Sequence, residues 1–300
     1  MLKLIPPDTH KYHLKNRWHT PCFEKLNNLE WVDAFAFVCH GVKIGIRVSD
    51  SEIAEDLKLR LPISSKLIEC TECDAIFSII KGGKVVGSGI RKFHMLYHNH
   101  TELNKSHKIN DVFERFESWL SITVGFLAPK HTFVHAGSVS YKGHAIIIPG
   151  KSFSGKSTLV SELLNQGADY LSDEFAILNT NGMVMPWAKP ISMRYDETAK
   201  QINVDPSHFG AKILQTPVPL GLVIITKFKE NAIWRPRSVS KGKALLGMLD
   251  NCLSGQLYPE RNFKTLGNAI HETKSIKSSR GEAKYTAVKI LKIMDNLLKK

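Results

Sequence analysis

Three hundred residues at 43% hydrophobic content suit one large α/β domain or two modest ones around a sizeable core. The formal charge of +13, from 41 Lys and Arg against 28 Asp and Glu, points to a polyanionic partner. The basic residues are scattered and no aromatic-interleaved patch occurs, which argues against nucleic acid and for a basic surface around an anion-binding cleft.

In chain order, the opening MLKLIPPDTHKYHLK lacks an apolar signal stretch and breaks at Pro6-Pro7. No later window approaches the ~20 apolar residues of a membrane span, so a cytoplasmic protein with no membrane partner is expected. Residues 35–48 alternate apolar and polar about His40-Gly41 and predict a strand pair. Ser51 opens a short helix that Pro62 ends. The pair Cys70-Thr-Glu-Cys73 has zinc-ligand spacing but no second pair nearby, so these, with Cys22, Cys39 and Cys252, are expected to be reduced thiols. Residues 75–80 and 84–97 predict a hairpin about Gly82-Gly83, and Asn110 to Leu127 an amphipathic helix closed by Pro129. Residues 1–128 are taken as an α+β N-terminal region and 129–300 as a second domain.

The second domain begins with strand patterns at Thr132 to Ser140 and Ala145 to Ile148. Residues 168–178 read as strand, turn, strand, and Asn181-Gly182 turns a hairpin into Met183 to Pro186. Leu220 to Phe228 is a further strand; 241–253 and 281–298 are predicted helices.

Between Ile148 and this strand–turn–strand stands Gly150-Lys151-Ser152-Phe153-Ser154-Gly155-Lys156-Ser157, a full G-x-x-x-x-G-K-[ST] phosphate loop, followed by Thr158. Glycines let successive backbone N–H groups converge on phosphate oxygens. Lys156 reaches the β- and γ-phosphates, and the Ser157 hydroxyl is placed to ligate Mg²⁺. Chance produces the pattern in about one chain of this length in a hundred. Context lowers that figure: an apolar strand enters the loop, and a helix with Leu159, Val160, Leu163 and Leu164 at core spacing leaves it and stops at Gly167. ATP, or another nucleoside triphosphate, with Mg²⁺ is the expected ligand.

Two further groups gain meaning from that loop. Asp173-Glu174 follow a short strand and could hold Mg²⁺ or accept a proton from an attacking hydroxyl; away from such a loop they would read as exposed turn acids. His135 lies in an apolar strand one element before the loop, where a structural role and a catalytic one are equally open.

The run VHAGSVSYKGHAIIIPGKSFSGKSTLVSELLNQGADYLSDEFAIL resembles the catalytic domain of HPr kinase/phosphorylase, a serine kinase related in fold to phosphoenolpyruvate carboxykinase. The resemblance covers about 45 residues well and about 170 loosely. It implies an α/β phosphate-loop domain with a mixed sheet. It would make Lys156 and Ser157 the phosphate and Mg²⁺ groups and Asp173 the acid beside metal and acceptor hydroxyl. His135 would pair with the acidic residues to tune proton transfer. The chain departs from that family at Glu174, where an aspartate is usual, and at Pro190-Ile-Ser-Met-Arg194, where an Arg-Gly-x-Gly run is usual. Reverse phosphorylase activity and HPr as acceptor are therefore not carried over.

The pattern is closer to divergent relatives encoded beside peptide-modification genes, some of which, in lasso-peptide clusters, phosphorylate a precursor serine. Arg194, Arg235, Arg237 and Arg280 are candidates to stabilise charge on the transferring group, although a single arginine is more commonly a structural or surface ion-pair partner. The expectation is an Mg²⁺-dependent kinase acting on a hydroxyl, a serine of a peptide or protein, with the N-terminal region recognising the acceptor. The rivals are a small-molecule kinase on the same scaffold, a nucleotide sensor with little turnover, and a nucleic-acid-linked ATPase, which would need an additional basic groove. Homo-oligomerisation is left open.

Overall fold

The computed structural model describes residues 26–84, 87, 89–151, 154–193 and 202–299. The chain forms two compact units, Met1–Pro129 and Lys130–Lys300. In the first, strands β1 (Asp33–Cys39), β2 (Val42–Val48), β3 (Lys66–Ile68), β4 (Ala75–Ile80), β7 (His94–His98) and β8 (Thr101–Ser106) form one sheet in the order β3-β1-β2-β4-β7-β8. The short pair β5 (Gly83–Lys84) and β6 (Arg91–Lys92) stands apart from it. Here the expectation of one strand over 84–97 fails, and β8 is a strand that periodicity did not single out.

Helix α1 (Ser51–Leu59) starts where Asp50 accepts the Glu52 N–H, and α2 (Ile109–Leu127) buries Val112, Phe113, Phe116 and Leu120. The cysteines Cys39, Cys70, Cys73 and Cys252 are free thiols, and Cys22 lies outside the described residues. No cluster of three or more His, Cys, Asp or Glu residues suited to a metal occurs among the described residues. No helix among them is long and apolar enough to cross a membrane.

The second unit is a sheet in the order β13-β12-β9-β10-β16-β18-β17, with β11 also paired to β9. Its strands are β9 (His131–Tyr141), β10 (His144–Pro149), β11 (Asp169–Ser172), β12 (Phe175–Asn179), β13 (Val184–Met185), β16 (Leu220–Phe228), β17 (Arg237–Ser238) and β18 (Lys274–Arg280). A separate hairpin joins β14 (Ile191–Met193) to β15 (Ile202–Val204). The sheet is mixed: β10, β16 and β18 run parallel, while β9 is antiparallel to each of its partners.

Helices cover both faces, which is why β10 reads as an unbroken apolar run. Ile146 and Ile148 share a core with Leu159, Leu163, Ile290 and Met294, from α3 (Lys156–Asn165) and α6 (Ala283–Leu298). Ala145 and Ile147 point to the other face, with Met248 and Ile270 from α4 (Lys241–Leu249) and α5 (Pro259–His271). Helix α5 and strand β18 were not legible as elements in the sequence.

Two glycines let α3 sit where it does. Gly167, at φ 90°, ends the helix with its N–H on Leu164 O at 2.9 Å and the Ala168 N–H on Leu163 O at 3.1 Å. Gly137 of β9 lies under the helix, and a methyl there would stand 2.6 Å from Val160 Cγ2. Val160 is fully buried and its branched side chain has little rotamer freedom to retreat. Gly137→Ala is therefore expected to destabilise the protein by about 1–3 kcal/mol, read as a lower midpoint in urea. An unchanged midpoint would show that α3 shifts freely on β9.

Candidate functional site

The phosphate loop leaves the sheet at the carboxyl end of β10, and Gly155, at φ 79°, caps the amino end of α3. The loop curls onto itself: Lys156 Nζ donates to Lys151 O at 2.9 Å, and Ser154 N–H to Lys151 O at 3.3 Å. At Gly150 a Cβ would come within 2.9 Å of Ser154 Oγ, so a side chain there would displace that hydroxyl. Thr158 is exposed on the first turn of α3. Ser152, Phe153 and Arg194 lie outside the described residues.

Strand β9 brings the acids to this loop. On one edge it pairs with β11 through Ser138 to Ser140 and with β12 through His131 to His135. The β11–β12 corner, Asp173-Glu174, falls between those two ladders, and Ala136 N–H donates to Glu174 O at 3.2 Å. On its other edge β9 pairs with β10 up to Pro149, and Gly150 N–H donates to His135 O at 3.2 Å. One strand thus separates the loop from the acidic corner. Across it Ser157 Oγ donates to Asp173 Oδ2 at 3.0 Å, an oxygen that also accepts the Ser192 N–H at 3.3 Å.

Asp173 Oδ1 is shut off from solvent and has no hydrogen-bond partner among the described residues. Burial pushes the Asp173 carboxyl up to about 6, and the hydrogen bonds from Ser157 and Ser192 offset only part of that rise. Burial also lowers the Lys156 ammonium, which the charges of Asp173 and Glu174 partly restore. Glu174 turns outward to Lys189, with Oε2 at 3.2 Å from Nζ. Nothing in the local pattern around Lys189 or Ser192 marked either as a neighbour of the acidic corner.

His135 lies where β9 changes partners. Beyond Pro149 the segment Asn251–Leu253 takes the place of β10, with His135 N–H on Asn251 O at 2.7 Å and Leu253 N–H on Phe133 O at 2.9 Å. The imidazole packs near the Phe175 ring, 5.9 Å between centroids, and makes no hydrogen bond to Asp173 or Glu174. Burial, and secondarily the Lys156 charge, depress it to about 4, so at neutral pH it is an uncharged ring.

Of the arginines, Arg280 meets the loop. It ends β18, is 2% exposed, and donates from Nη2 to Gly155 O at 2.6 Å and from Nη1 to Gly281 O at 3.2 Å. It forms no ion pair among the described residues, and burial lowers its ordinary value. Arg237 lies on β17, separated from β10 by β16 and β18, and Arg235 is exposed just before it.

Two buried cations, Lys156 and Arg280, therefore converge on a glycine-curled loop beside a half-buried carboxylate whose Oδ1 is shut off from solvent. Each costs solvation free energy that a neutral protein interior does not return. A polyphosphate would neutralise the cations. The donor set also fits Mg²⁺, which takes oxygen ligands and is commonly held by one or two carboxylates together with substrate phosphates. Asp173 and Ser157 are the residues that would hold it.

The raised Asp173 value makes stability depend on pH in a stated direction. The folded state binds the proton more tightly than the unfolded chain, so the carboxylate costs nothing below pH ~4 and its full penalty above ~6. Asp173→Asn keeps an acceptor for Ser157 and removes the charge. The variant is expected to be more stable than the parent by about 2 kcal/mol at pH 8, with the difference vanishing below pH 4. Urea titrations at the two pH values check this; equal stability at pH 8 would mean that Asp173 is not held at a cost.

No family model matches the chain, and no curated protein matches it. Among solved structures, the HPr(Ser) kinase/phosphatase from Coxiella burnetii is similar at 13% identity over 56% of this chain and 99% of that one, with a TM-score of 0.30.

Proposed function

We propose that the second unit is an Mg²⁺-dependent kinase that transfers the γ-phosphate of ATP to a hydroxyl, a serine of a peptide or protein. The observation that carries this reading is the Ser157–Asp173 contact at 3.0 Å, beside Lys156 and across β9 from the loop. Phosphoryl transfer asks mainly for positioning and electrostatic stabilisation, with one group to receive a proton. A phosphate loop alone would serve many nucleotide hydrolases; a half-buried carboxylate with one oxygen unpaired among the described residues adds the proton acceptor.

In this reading the loop N–H groups and Lys156 hold the β- and γ-phosphates, and the amino end of α3 adds its partial positive charge. Arg280, buried and in no ion pair among the described residues, is held beside the loop at Gly155. Ser157 and Asp173 would hold Mg²⁺, which would supply charge neutralisation on the transferring group. The acceptor oxygen forms a bond to the γ-phosphorus as the bond to the β–γ bridging oxygen breaks. Asp173 takes the acceptor's proton on Oδ1, the oxygen that Ser157 and Ser192 do not engage. His135, uncharged and against Phe175, shapes the wall beside the acidic corner rather than donating a proton. Acceptor recognition is assigned to the first unit.

The test is transfer of labelled γ-phosphate to an acceptor in a lysate of the source organism, comparing parent, Lys156→Ala and Asp173→Asn. Each variant is expected to lose transfer by about 100-fold or more. Because Asp173→Asn is expected to be the more stable protein at pH 8, its loss there would not be a loss of fold. Labelled acceptor that persists with both variants would falsify the mechanism.

A further inference from the structure

Beside Arg280 the surface opens into a cavity of about 240 Å³, lined in part by Ile233, Trp234, Gly281, Glu282, Tyr285 and Lys289. It lies where the β16–β17 connection folds over the start of α6, at the same carboxyl edge of β16 and β18 that faces the phosphate loop. Gly281 makes the fold-over possible, since a Cβ there would stand 2.7 Å from Ala232 O. We infer that this cavity holds the purine base of the nucleotide whose phosphates the loop binds. The inference rests on the phosphate-loop reading and gives that site its missing half.

Three observations support it. The first is continuity. Arg280 reaches Gly155 O at 2.6 Å while its neighbour Gly281 lines the cavity. From the other side, Phe228 Cβ lies 3.8 Å from where a Gly155 Cβ would be, three residues before the lining residue Asn231. Both walls of the cavity thus begin beside the loop. In open sheets of this kind ligands lie outside the carboxyl ends of parallel strands, the edge that both features share.

The second is chemistry. Ile233 is 66% exposed and Tyr285 74% exposed, although both are large and apolar-bodied, and they line the cavity together with the buried Trp234. A flat aromatic heterocycle covers such groups by stacking, without regard to base identity. Glu282, which caps α6, and Lys289 within it offer one acceptor and one donor for the polar edge of a base. The third is size. The cavity is smaller than the ~300–1,000 Å³ typical of whole-ligand pockets, which suits one ring system of a ligand whose remainder lies elsewhere.

The test uses the full chain and two probes, Mg·ATP and Mg·tripolyphosphate, with binding measured by calorimetry. The variants are Tyr285→Ala and Ile233→Ser, both at exposed positions, with thermal melts to confirm the fold. Each variant is expected to bind ATP about tenfold more weakly, equivalent to about 1.4 kcal/mol, and tripolyphosphate with unchanged affinity. Unchanged ATP affinity in both variants, or an equal loss for the two probes, would overturn the base site while leaving the phosphate loop standing. A parent protein that binds neither probe would overturn the phosphate-loop reading, and the base site with it.

Discussion

The second unit depends on what one strand can do with its two edges. Strand β9 is eleven residues long, and over that length it changes partner on both sides. On one edge the ladder passes from β11 to β12, and on the other from β10 to the Asn251–Leu253 segment. Both changes occur within a few residues of Ala136. A strand whose neighbours leave it must still satisfy its backbone groups, and the N–H of Ala136 and O of His135 do so on Glu174 O and Gly150 N. The phosphate loop and the acidic corner are thereby fixed to the same short piece of chain from opposite sides, before any side chain takes part.

The packing of α3 follows from that constraint. The helix must start beside the loop and lie across β9, and Gly137 leaves the space that Val160 occupies. The apolar face of α3 then fixes the azimuth at which Ser157 emerges, which is the direction of Asp173. The electrostatic cost of the arrangement is visible in the same residues: a carboxyl pushed upward, an ammonium and a guanidinium pushed downward. Apolar groups of similar volume would avoid that cost, which a bound polyphosphate and cation would offset.

The stretch from His135 to Glu174 was legible in the sequence because its signals are local. Glycines sit at the loop and helix end, an apolar run marks a strand covered on both faces, and Leu159, Val160, Leu163 and Leu164 keep helical spacing. What stayed hidden is nonlocal or polar. Strand β18 reads Lys-Ser-Ile-Lys-Ser-Ser-Arg, with no apolar run, yet it lies between β16 and β17 and buries Ser275, Ile276 and Arg280. Helix α5 buries Asn262 and Thr265 among its core positions; Asn262 Nδ2 donates to Ser254 O at 2.9 Å and its Oδ1 accepts from Thr132 Oγ1 at 3.0 Å. Apolar periodicity cannot detect a core built from hydrogen bonds. Arg280 could be named as a candidate but not distinguished from Arg235 and Arg237, because the difference lies in strand order.

The Arg280–Gly155 hydrogen bond spans 125 positions of chain. During synthesis the loop and α3 emerge long before β18, so for that interval the sheet ends at an open edge on β16. Parallel pairing of this kind is slow because a long loop must close before any contact rewards it. A ribosome paused between Phe228 and Lys274 would expose that unpaired edge together with the apolar face that α6 later covers. Nascent-chain aggregation, rather than loss of a finished site, is therefore the hazard that this connectivity creates.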